Sequence, residues 1–184
     1  MNYFSRLKNK LTYTVYNIFN ASSYKKIHIK SAVKPSVKVE GKKYISIGKY
    51  TTIKRLGWIL ALKIDDHQPN LLIDDGVEIG DFCHITCVRS VVIEKDVSIA
   101  NGVYISDNVH TYNNVDIAIK YQPVEFKSDV IIGTGSWIGE HACIIGAKIG
   151  RNCVIGANVV LTKDVPDYTT VLPNQKIEWN YYTK

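Results

Sequence analysis

Aliphatic residues recur at every sixth position along most of the 184-residue chain, and this spacing constrains the fold more than any other feature. The series is interrupted in places and then resumes with the same step. Its members are Ile47, Ile53, Ile59, Ile73, Ile79, Ile85, Ile93, Ile99, Ile105, Ile132, Ile138, Ile144, Ile149, Ile155 and Leu161. An amphipathic helix would need apolar residues about every three to four positions, and an amphipathic strand about every two. The repeat therefore excludes both as the main element of the chain.

Small residues at fixed distances from these aliphatic positions indicate how the chain turns. Glycine often follows directly, as in Ile79-Gly80 and Ile138-Gly139, and a mostly small side chain stands four positions after the aliphatic one. The residues at that later position are Thr51, Cys83, Val103, Ser136, Ala142, Cys153 and Val159. Six residues can form one short strand and one corner, so three such units return the chain one strand spacing above its start. The pattern predicts an all-β solenoid, a parallel β-helix with aliphatic ladders inside a triangular prism.

The last coils resemble a known family. The segments Trp137 to Glu140 and Val154 to Pro166 are similar to the last coils, and to the exit from them, in the hexapeptide-repeat acyltransferases. This left-handed parallel β-helix family includes galactoside, maltose and polysaccharide O-acetyltransferases, and the chain is most similar to its polysaccharide and sugar O-acetylating members. The resemblance covers roughly Ile45 to Val171. It implies left-handed coils, whereas the usual chirality of crossover connections would predict right-handed ones.

Three regions are expected along the chain. Residues 1–44 form an N-terminal helix and a lead-in, residues 45–166 form the β-helix with a loop excursion at 111–129, and residues 167–184 form a C-terminal tail. Apolar residues at positions 4, 7, 11, 15 and 18 mark one face of a short α-helix with basic residues beside it. Such a helix could cap the open first coil, or it could contact an anionic membrane surface.

The charge of the chain does not by itself select a partner. The net charge is +6 and much of the excess precedes residue 64, but no RNA- or DNA-binding motif accompanies it, so no nucleic-acid partner is expected. Arg6, Lys8 and Lys10 interrupt any signal-peptide core, and no stretch reaches the roughly 18 apolar residues of a membrane span. We therefore expect a cytoplasmic protein that could lie at the inner face of the membrane.

The cysteines and histidines do not form a metal-binding pattern. The four cysteines, Cys83, Cys87, Cys143 and Cys153, include no CxxC pair and are expected to be buried thiols. The γ-class carbonic anhydrases build the same fold with three zinc-bound histidines, two of them close in sequence. Here no second histidine lies within ten residues of His110, so no metal is expected.

The longest interruption of the repeat begins just after the run Asp107-Asn108-Val109-His110. His110 stands five positions after Ile105, so its side chain should point outward at the corner where the loop leaves the coil. An outward imidazole can accept a proton from an incoming hydroxyl, as acyl transfer from a thioester requires. Many polysaccharide acetyltransferases of the resembling family carry Asp-His-Asn-His at this place, with the last histidine as general base. The resemblance implies that role for His110, and a solvated corner histidine is the alternative.

Other polar residues are candidates for binding the acceptor. Asp107 is expected to orient the imidazole or to contact the acceptor, although aspartate is also an ordinary corner residue. Asn108 and Tyr112 flank His110 and are candidate acceptor contacts. His84 is a candidate residue of the substrate rim, although it falls at a different corner from His110.

The resemblance also implies an acyl donor and an oligomer. Acetyl-CoA would lie in a groove between two neighbouring prisms of a homotrimer. The matching positions are Trp137 against the pantetheine arm, Gly139 and Ala157 in a narrow slot, and Thr162 with Lys163 near the nucleotide phosphate.

These expectations lead to a functional hypothesis. The chain is predicted to be an acetyl-CoA-dependent O-acetyltransferase that acts on a sugar hydroxyl in bacterial surface-polysaccharide synthesis. Transfer would be direct, because no cysteine has an evident activating base in the sequence. Two alternatives stay open, namely N-acetylation of an aminosugar or amino acid, and a non-catalytic β-solenoid that binds a partner.

Overall fold

Three parallel sheets form the walls of a prism in the computed structural model, which describes residue 12 and residues 14–174. Strands are numbered in chain order. Sheet A contains β1 Lys26–Ile27, β4 Ile45–Ile47, β7 Asn70–Ile73, β10 Ser90–Ile93, β15 Val130–Ile132 and β18 Lys148–Ile149. Sheet B contains β2 Ala32–Val33, β5 Thr52–Ile53, β8 Glu78–Ile79, β11 Ser98–Ile99, β16 Trp137–Ile138, β19 Val154–Ile155 and β21 Thr170–Val171. Sheet C contains β3 Lys38–Glu40, β6 Trp58–Ala61, β9 His84–Cys87, β12 Tyr104–Ser106, β17 Cys143–Ile145 and β20 Val160–Leu161.

The chain visits sheets A, B and C in turn, so each coil adds one strand to each sheet. This is the predicted left-handed parallel β-helix. Two further strands, β13 (Asn108–His110) and β14 (Val124–Phe126), pair antiparallel outside the prism. In the part of the chain that the structure describes, three short 3-10 helices lie at Ala21–Ser23, Lys42–Tyr44 and Ile119–Tyr121.

Aliphatic side chains of successive coils stack in register inside the prism. In sheet C, for example, Ile105 lies between Ile85 and Ile144. The largest fully buried side chains are Ile45, Ile47, Ile53, Ile59, Leu71, Ile73, Ile79, Ile85, Ile93, Ile105, Ile132 and Ile138. The small residues that follow four positions later are buried as well, from Thr51 to Val159. Both parts of the predicted six-residue pattern are therefore confirmed, and each buried isoleucine contributes on the order of 2–3 kcal/mol.

The coils begin earlier and end later than the sequence suggested. Strands β1, β2 and β3 pair with β4, β5 and β6, so a complete first coil lies inside the region expected to be a lead-in. Ile27, Val33 and Val39 keep the six-residue step there, so the expected boundary at residue 45 was wrong. At the other end β21 pairs with β19 beyond residue 166. Residues 14–20 are helical as predicted, whereas positions 4, 7 and 11 and the tail from 175 to 184 lie outside the described residues.

Variation in coil length is confined to the corner between sheet C and sheet A. The aliphatic residues that lead from sheet A to B and from B to C keep the six-residue step in every coil. The segments that lead from sheet C back to sheet A have different lengths, and they are 41–44, 62–69, 88–89, 107–129, 146–147 and 162–164. We call these six segments the variable corner. Insertions at one edge leave the ladders intact, and such loops commonly form the functional face of a solenoid.

Candidate active site at the variable corner

A hairpin carries His110 away from the prism. In the β13–β14 pair, Asn108 lies opposite Phe126 and His110 lies opposite Val124. Thr111 extends the contact between the two chain segments by one residue, because its N–H and its hydroxyl both donate to the carbonyl of Pro123 at 3.0 Å. The His110 side chain is exposed, and its imidazole has no hydrogen-bond partner among the described residues. The predicted outward position at the start of the loop is confirmed.

Asp107 has a different position from the one expected, because it is fully buried. Its carboxylate accepts hydrogen bonds from the backbone N–H groups of Val88 (2.8 Å), Arg89 (2.7 Å) and Ser90 (2.8 Å). Its own carbonyl accepts the N–H of Lys127 at 2.8 Å. The carboxylate therefore holds the segment 88–89 and the carbonyl holds the return of the loop. The expected contact with His110 or an acceptor is wrong, because buried backbone amides require these acceptors.

Asn108 also faces inward. It is 8% exposed, and its amide donates to the Asp107 carboxylate at 2.8 Å and to the Thr86 hydroxyl at 3.4 Å. Its backbone N–H and carbonyl both bond to the hydroxyl of Ser106. The expected contact of Asn108 with an acceptor is therefore replaced by a structural role beneath the hairpin. Tyr112, by contrast, is 70% exposed just beyond the hairpin strand, where it is free to meet a ligand.

Gln122 organises the loop, and sequence reasoning missed it. Its amide donates to the carbonyls of Asn114 and Ile117, both at 2.8 Å, and its oxygen accepts the N–H of Asn114 at 3.2 Å. The side chain is 7% exposed although its neighbours Tyr121 and Pro123 are exposed. The partners of the Gln122 side chain are backbone groups, which any sequence supplies, so no residue pattern predicts this contact.

Arg89 connects two loops of the variable corner and was also missed. Its guanidinium donates to Asp65 of segment 62–69 at 2.8 Å, and it lies 4.1 Å from the ring centroid of Phe126 in strand β14. The hydrogen bond from Arg89, followed by that from the His67 N–H, lowers the pKa of Asp65 to about 2. The Arg89 side chain thus contacts both segment 62–69 and the hairpin that carries His110. The signal in the sequence is a single arginine within a two-residue corner.

His84 lies away from this group, on the outer face of sheet C. Its ring stacks on Trp58 with centroids 4.6 Å apart, and its other neighbour Tyr104 meets it edge-on at 5.3 Å. Burial lowers the pKa of the His84 imidazole. His84 is separate from His110 as predicted, but it lies on the face of sheet C rather than at a corner, and packing against Trp58 and Tyr104 accounts for its position.

The residues expected to hold the acyl donor are divided between two sides of the prism. Thr162 and Lys163 are exposed in segment 162–164, on the same edge as the base of the His110 hairpin. Trp137 is 48% exposed on the outer face of sheet B, and Ala157 is exposed at the corner between sheets B and C. Gly139 offers no open slot, because a Cβ there would lie 2.6 Å from the backbone nitrogen of Ala157. One prism alone does not bring these residues together.

An open groove has Asp164, the residue after Lys163, in its lining. It has a volume of about 350 Å³ on the outer face of sheet A, between Ile131, Lys148 and the segment from Asp164 to Asp167. This volume is within the usual range for small-molecule sites. The charged side chains in its lining are Lys148, Asp164 and Asp167.

The buried thiols have little nucleophilic character. Burial raises the pKa of Cys83, and burial with the nearby Asp107 carboxylate raises that of Cys87 to about 12. Such thiols stay protonated near neutral pH, and the thiolate is the nucleophilic form. In the described residues, no group of three or more His, Cys, Asp and Glu side chains is placed to hold a metal ion. Over the same part of the chain, no helix is long and apolar enough to cross a bilayer.

Sequence relatives and a solved structure agree with this architecture. A family model described as the hexapeptide repeat of succinyl-transferase matches residues 129–163. WbbJ of Escherichia coli, whose name assigns it to O-acetyl transfer in lipopolysaccharide biosynthesis, is 32% identical over 124 residues, or 62% of this chain and 63% of WbbJ. A Mycobacterium tuberculosis protein named as a probable acetyltransferase is 30% identical over 143 residues, or 73% of this chain and 46% of that protein. The chain spans less than two thirds of the length of these relatives.

The Bacillus cereus N-acyltransferase AntD, solved with dTDP and 3-hydroxybutyryl-CoA, has the same fold. It superposes with a TM-score of 0.71 over 89% of this chain and 87% of AntD, at 15% sequence identity. The six-residue repeat, the matched family model and the two sequence relatives show that the chain is similar to the hexapeptide-repeat acyltransferases.

Proposed function

We propose that the chain is an acetyl-CoA-dependent O-acetyltransferase that acts on a sugar hydroxyl in the synthesis of a bacterial surface polysaccharide. The observation that carries this proposal is the exposed imidazole of His110, without a partner among the described residues, on an ordered hairpin at the variable corner. The name of the Escherichia coli relative supports the acceptor class and the pathway.

His110 acts as general base in this proposal. Its free ring nitrogen removes the proton from the acceptor hydroxyl as the oxygen becomes nucleophilic, and it can return a proton to the departing thiolate. Acetyl-CoA, when bound, supplies an activated acetyl thioester. Thr162 and Lys163 lie on the same edge and would hold its phosphate groups, with the groove on sheet A beside them. Tyr112 and segment 62–69 would border the acceptor.

Transfer is direct, without an acyl-enzyme intermediate. Cys87 is fully buried and its thiol has a pKa of about 12, so it has neither access nor charge for attack on a thioester. Cys83 is 1% exposed and its pKa is raised as well. A sequential mechanism, in which both substrates are bound before transfer, is the expected kinetic pattern rather than ping-pong kinetics.

Replacement of His110 by alanine tests the proposed base. The variant should keep the wild-type melting temperature, because the side chain is exposed, and should lose ~10²–10⁴-fold in turnover. Turnover is followed as free thiol released from acetyl-CoA in the presence of nucleotide sugars, oligosaccharides and amino acids. His141→Ala is the matched control, since His141 is an exposed histidine at a different corner. Near-normal turnover in His110→Ala would remove this residue from the mechanism.

The acceptor panel separates the proposal from its alternatives. Acetylation of sugar hydroxyls supports O-acetylation, whereas transfer confined to amines would assign the protein to N-acetylation with the same base. The absence of acetyl-CoA binding in calorimetry would instead favour a non-catalytic solenoid.

A further inference from the structure

The helix at residues 14–20 closes the first coil with one of its faces. Asn17 is 2% exposed, and its amide donates to the carbonyl of Ser31 at 2.8 Å. Asn20 accepts a hydrogen bond from Lys42 at 2.8 Å, and Tyr16 packs against the core. These contacts fix the orientation of the helix across the end of the prism. Capping, one of the two roles considered from the sequence, is therefore seen in the described residues, but it does not use the apolar face that the sequence marked.

The opposite face of the same helix is apolar and open. Val15 is 42% exposed, Ile18 is 58% exposed and Phe19 is 80% exposed. Three large apolar side chains on adjacent turns form a contiguous patch, because positions three and four apart lie on one face. A capping helix needs only one buried face, so the capping contacts do not explain the exposed apolar side chains on the opposite face.

Lysines surround this end of the prism. Residues 14–44 contain seven lysines, one glutamate and no aspartate or arginine. The lysines are Lys25, Lys26, Lys30, Lys34, Lys38, Lys42 and Lys43. They occur on sheet A, on sheet C and at the corners between the sheets, so they ring the helix rather than lie on one side of it. Glu40, the one acid, already bonds to Lys38 at 3.2 Å and to the Trp58 indole at 2.8 Å.

We propose that this end of the prism docks on an anionic lipid bilayer, with the apolar face of helix 14–20 inserted at the interface and the lysines among the headgroups. An amphipathic helix with basic residues around its apolar face is the usual arrangement for lying in the plane of an anionic membrane. A second copy of the chain fits poorly, because two such ends would bring two rings of lysines together. The inference does not depend on the proposed catalytic activity.

Vesicle sedimentation of the full chain tests the proposal. The wild-type protein should sediment with vesicles made of equal parts phosphatidylglycerol and phosphatidylcholine, and not with phosphatidylcholine alone. Raised salt should weaken capture, because counterions screen the lysines. The Ile18→Ser/Phe19→Ser variant should bind the anionic vesicles at least about tenfold more weakly, since it loses two inserted side chains.

A matched control uses apolar residues that are equally exposed but lie at another corner. Leu56 and Phe82 are 58% and 61% exposed at the corner between sheets B and C. The Leu56→Ser/Phe82→Ser variant should bind vesicles like the wild type, and circular dichroism should show both variants folded. Equal binding by both double variants, or no binding of the wild-type chain to anionic vesicles, would overturn the proposal. A lower oligomeric mass of Ile18→Ser/Phe19→Ser in light scattering, without vesicle binding by the wild type, would assign the patch to a second copy instead.

Discussion

Asp107 and His110 are close in sequence but have opposite environments. Asp107 lies at the last inward position before the hairpin, and its carboxylate binds three backbone N–H groups of the preceding coil. His110 is the last residue of the first hairpin strand, and its side chain is exposed to solvent. Charge-assisted bonds to buried amides are worth more than neutral ones, so Asp107 contributes to stability while His110 remains available for chemistry.

Replacement of Asp107 by asparagine separates these two roles. The amide keeps one acceptor oxygen but directs an NH2 group at backbone donors, so the free energy of unfolding should fall by about 2–4 kcal/mol. Chemical denaturation of Asp107→Asn and of His110→Ala, side by side, measures the difference. Unchanged stability of Asp107→Asn together with a reduced rate would instead indicate a direct catalytic role for the carboxylate.

The hairpin and segment 62–69 behave as one unit at the scale of elements, because Arg89 contacts both. The guanidinium pairs with Asp65 and covers Phe126, and the Arg89 N–H is itself held by Asp107. The low pKa of Asp65, about 2, keeps its carboxylate charged at neutral and mildly acidic pH. The stabilisation from this pair is present above the ordinary pKa of an aspartate and is lost as the pH falls toward that low value.

Loss of Arg89 should loosen both loops. In Arg89→Ala, amide hydrogen exchange in segments 62–69 and 111–128 should be faster by roughly 5–30-fold, because an ion pair and a cation–π contact are lost. Arg55→Ala is the control, since Arg55 pairs with Asp81 at 2.7 Å at the corner between sheets B and C. Exchange rates that are the same in both variants would show that Arg89 does not order the loops.

At the scale of the whole molecule, the residues expected to hold the donor lie on different sides of the prism. Trp137 is on sheet B, whereas His110, Thr162 and Lys163 are at the variable corner. A cleft that contains both sets needs the corner of one prism beside sheet B of another. A closed ring of three prisms would supply three equivalent clefts of this kind.

A homotrimer with shared sites is therefore predicted, and mixing of variants can detect it. Light scattering should give three times the mass of the chain, and co-refolded His110→Ala and Trp137→Ala chains should regain roughly a quarter of the wild-type activity. The recovery arises where an intact His110 of one chain faces an intact Trp137 of the next. A monomer that is fully active, or the absence of recovery from a trimer, would contradict the shared site.

The six-residue period was sufficient to predict the prism, its ladders and its small corner residues. A strand of two to four residues and a tight corner are local structures, so one repeat specifies their side-chain directions without distant partners. The same local count placed His110 outward, which is confirmed, and placed His84 at another corner, whereas His84 lies on the face of sheet C. The step is unbroken from sheet A to sheet C, so its interruptions showed where loops leave the prism.

Contacts between distant residues were decided by the tertiary structure alone. Asp107 reaches backbone groups 17 to 19 positions earlier, and Arg89 meets Asp65 24 positions earlier. These pairs become neighbours only because coils stack at one corner and the loops return to it, and the length of a loop carries no signal for its partners. The first coil is different, because its aliphatic residues Ile27, Val33 and Val39 keep the six-residue step and its ladder can be read from the sequence. Pairing with the second coil supplies the hydrogen bonds that make it a coil.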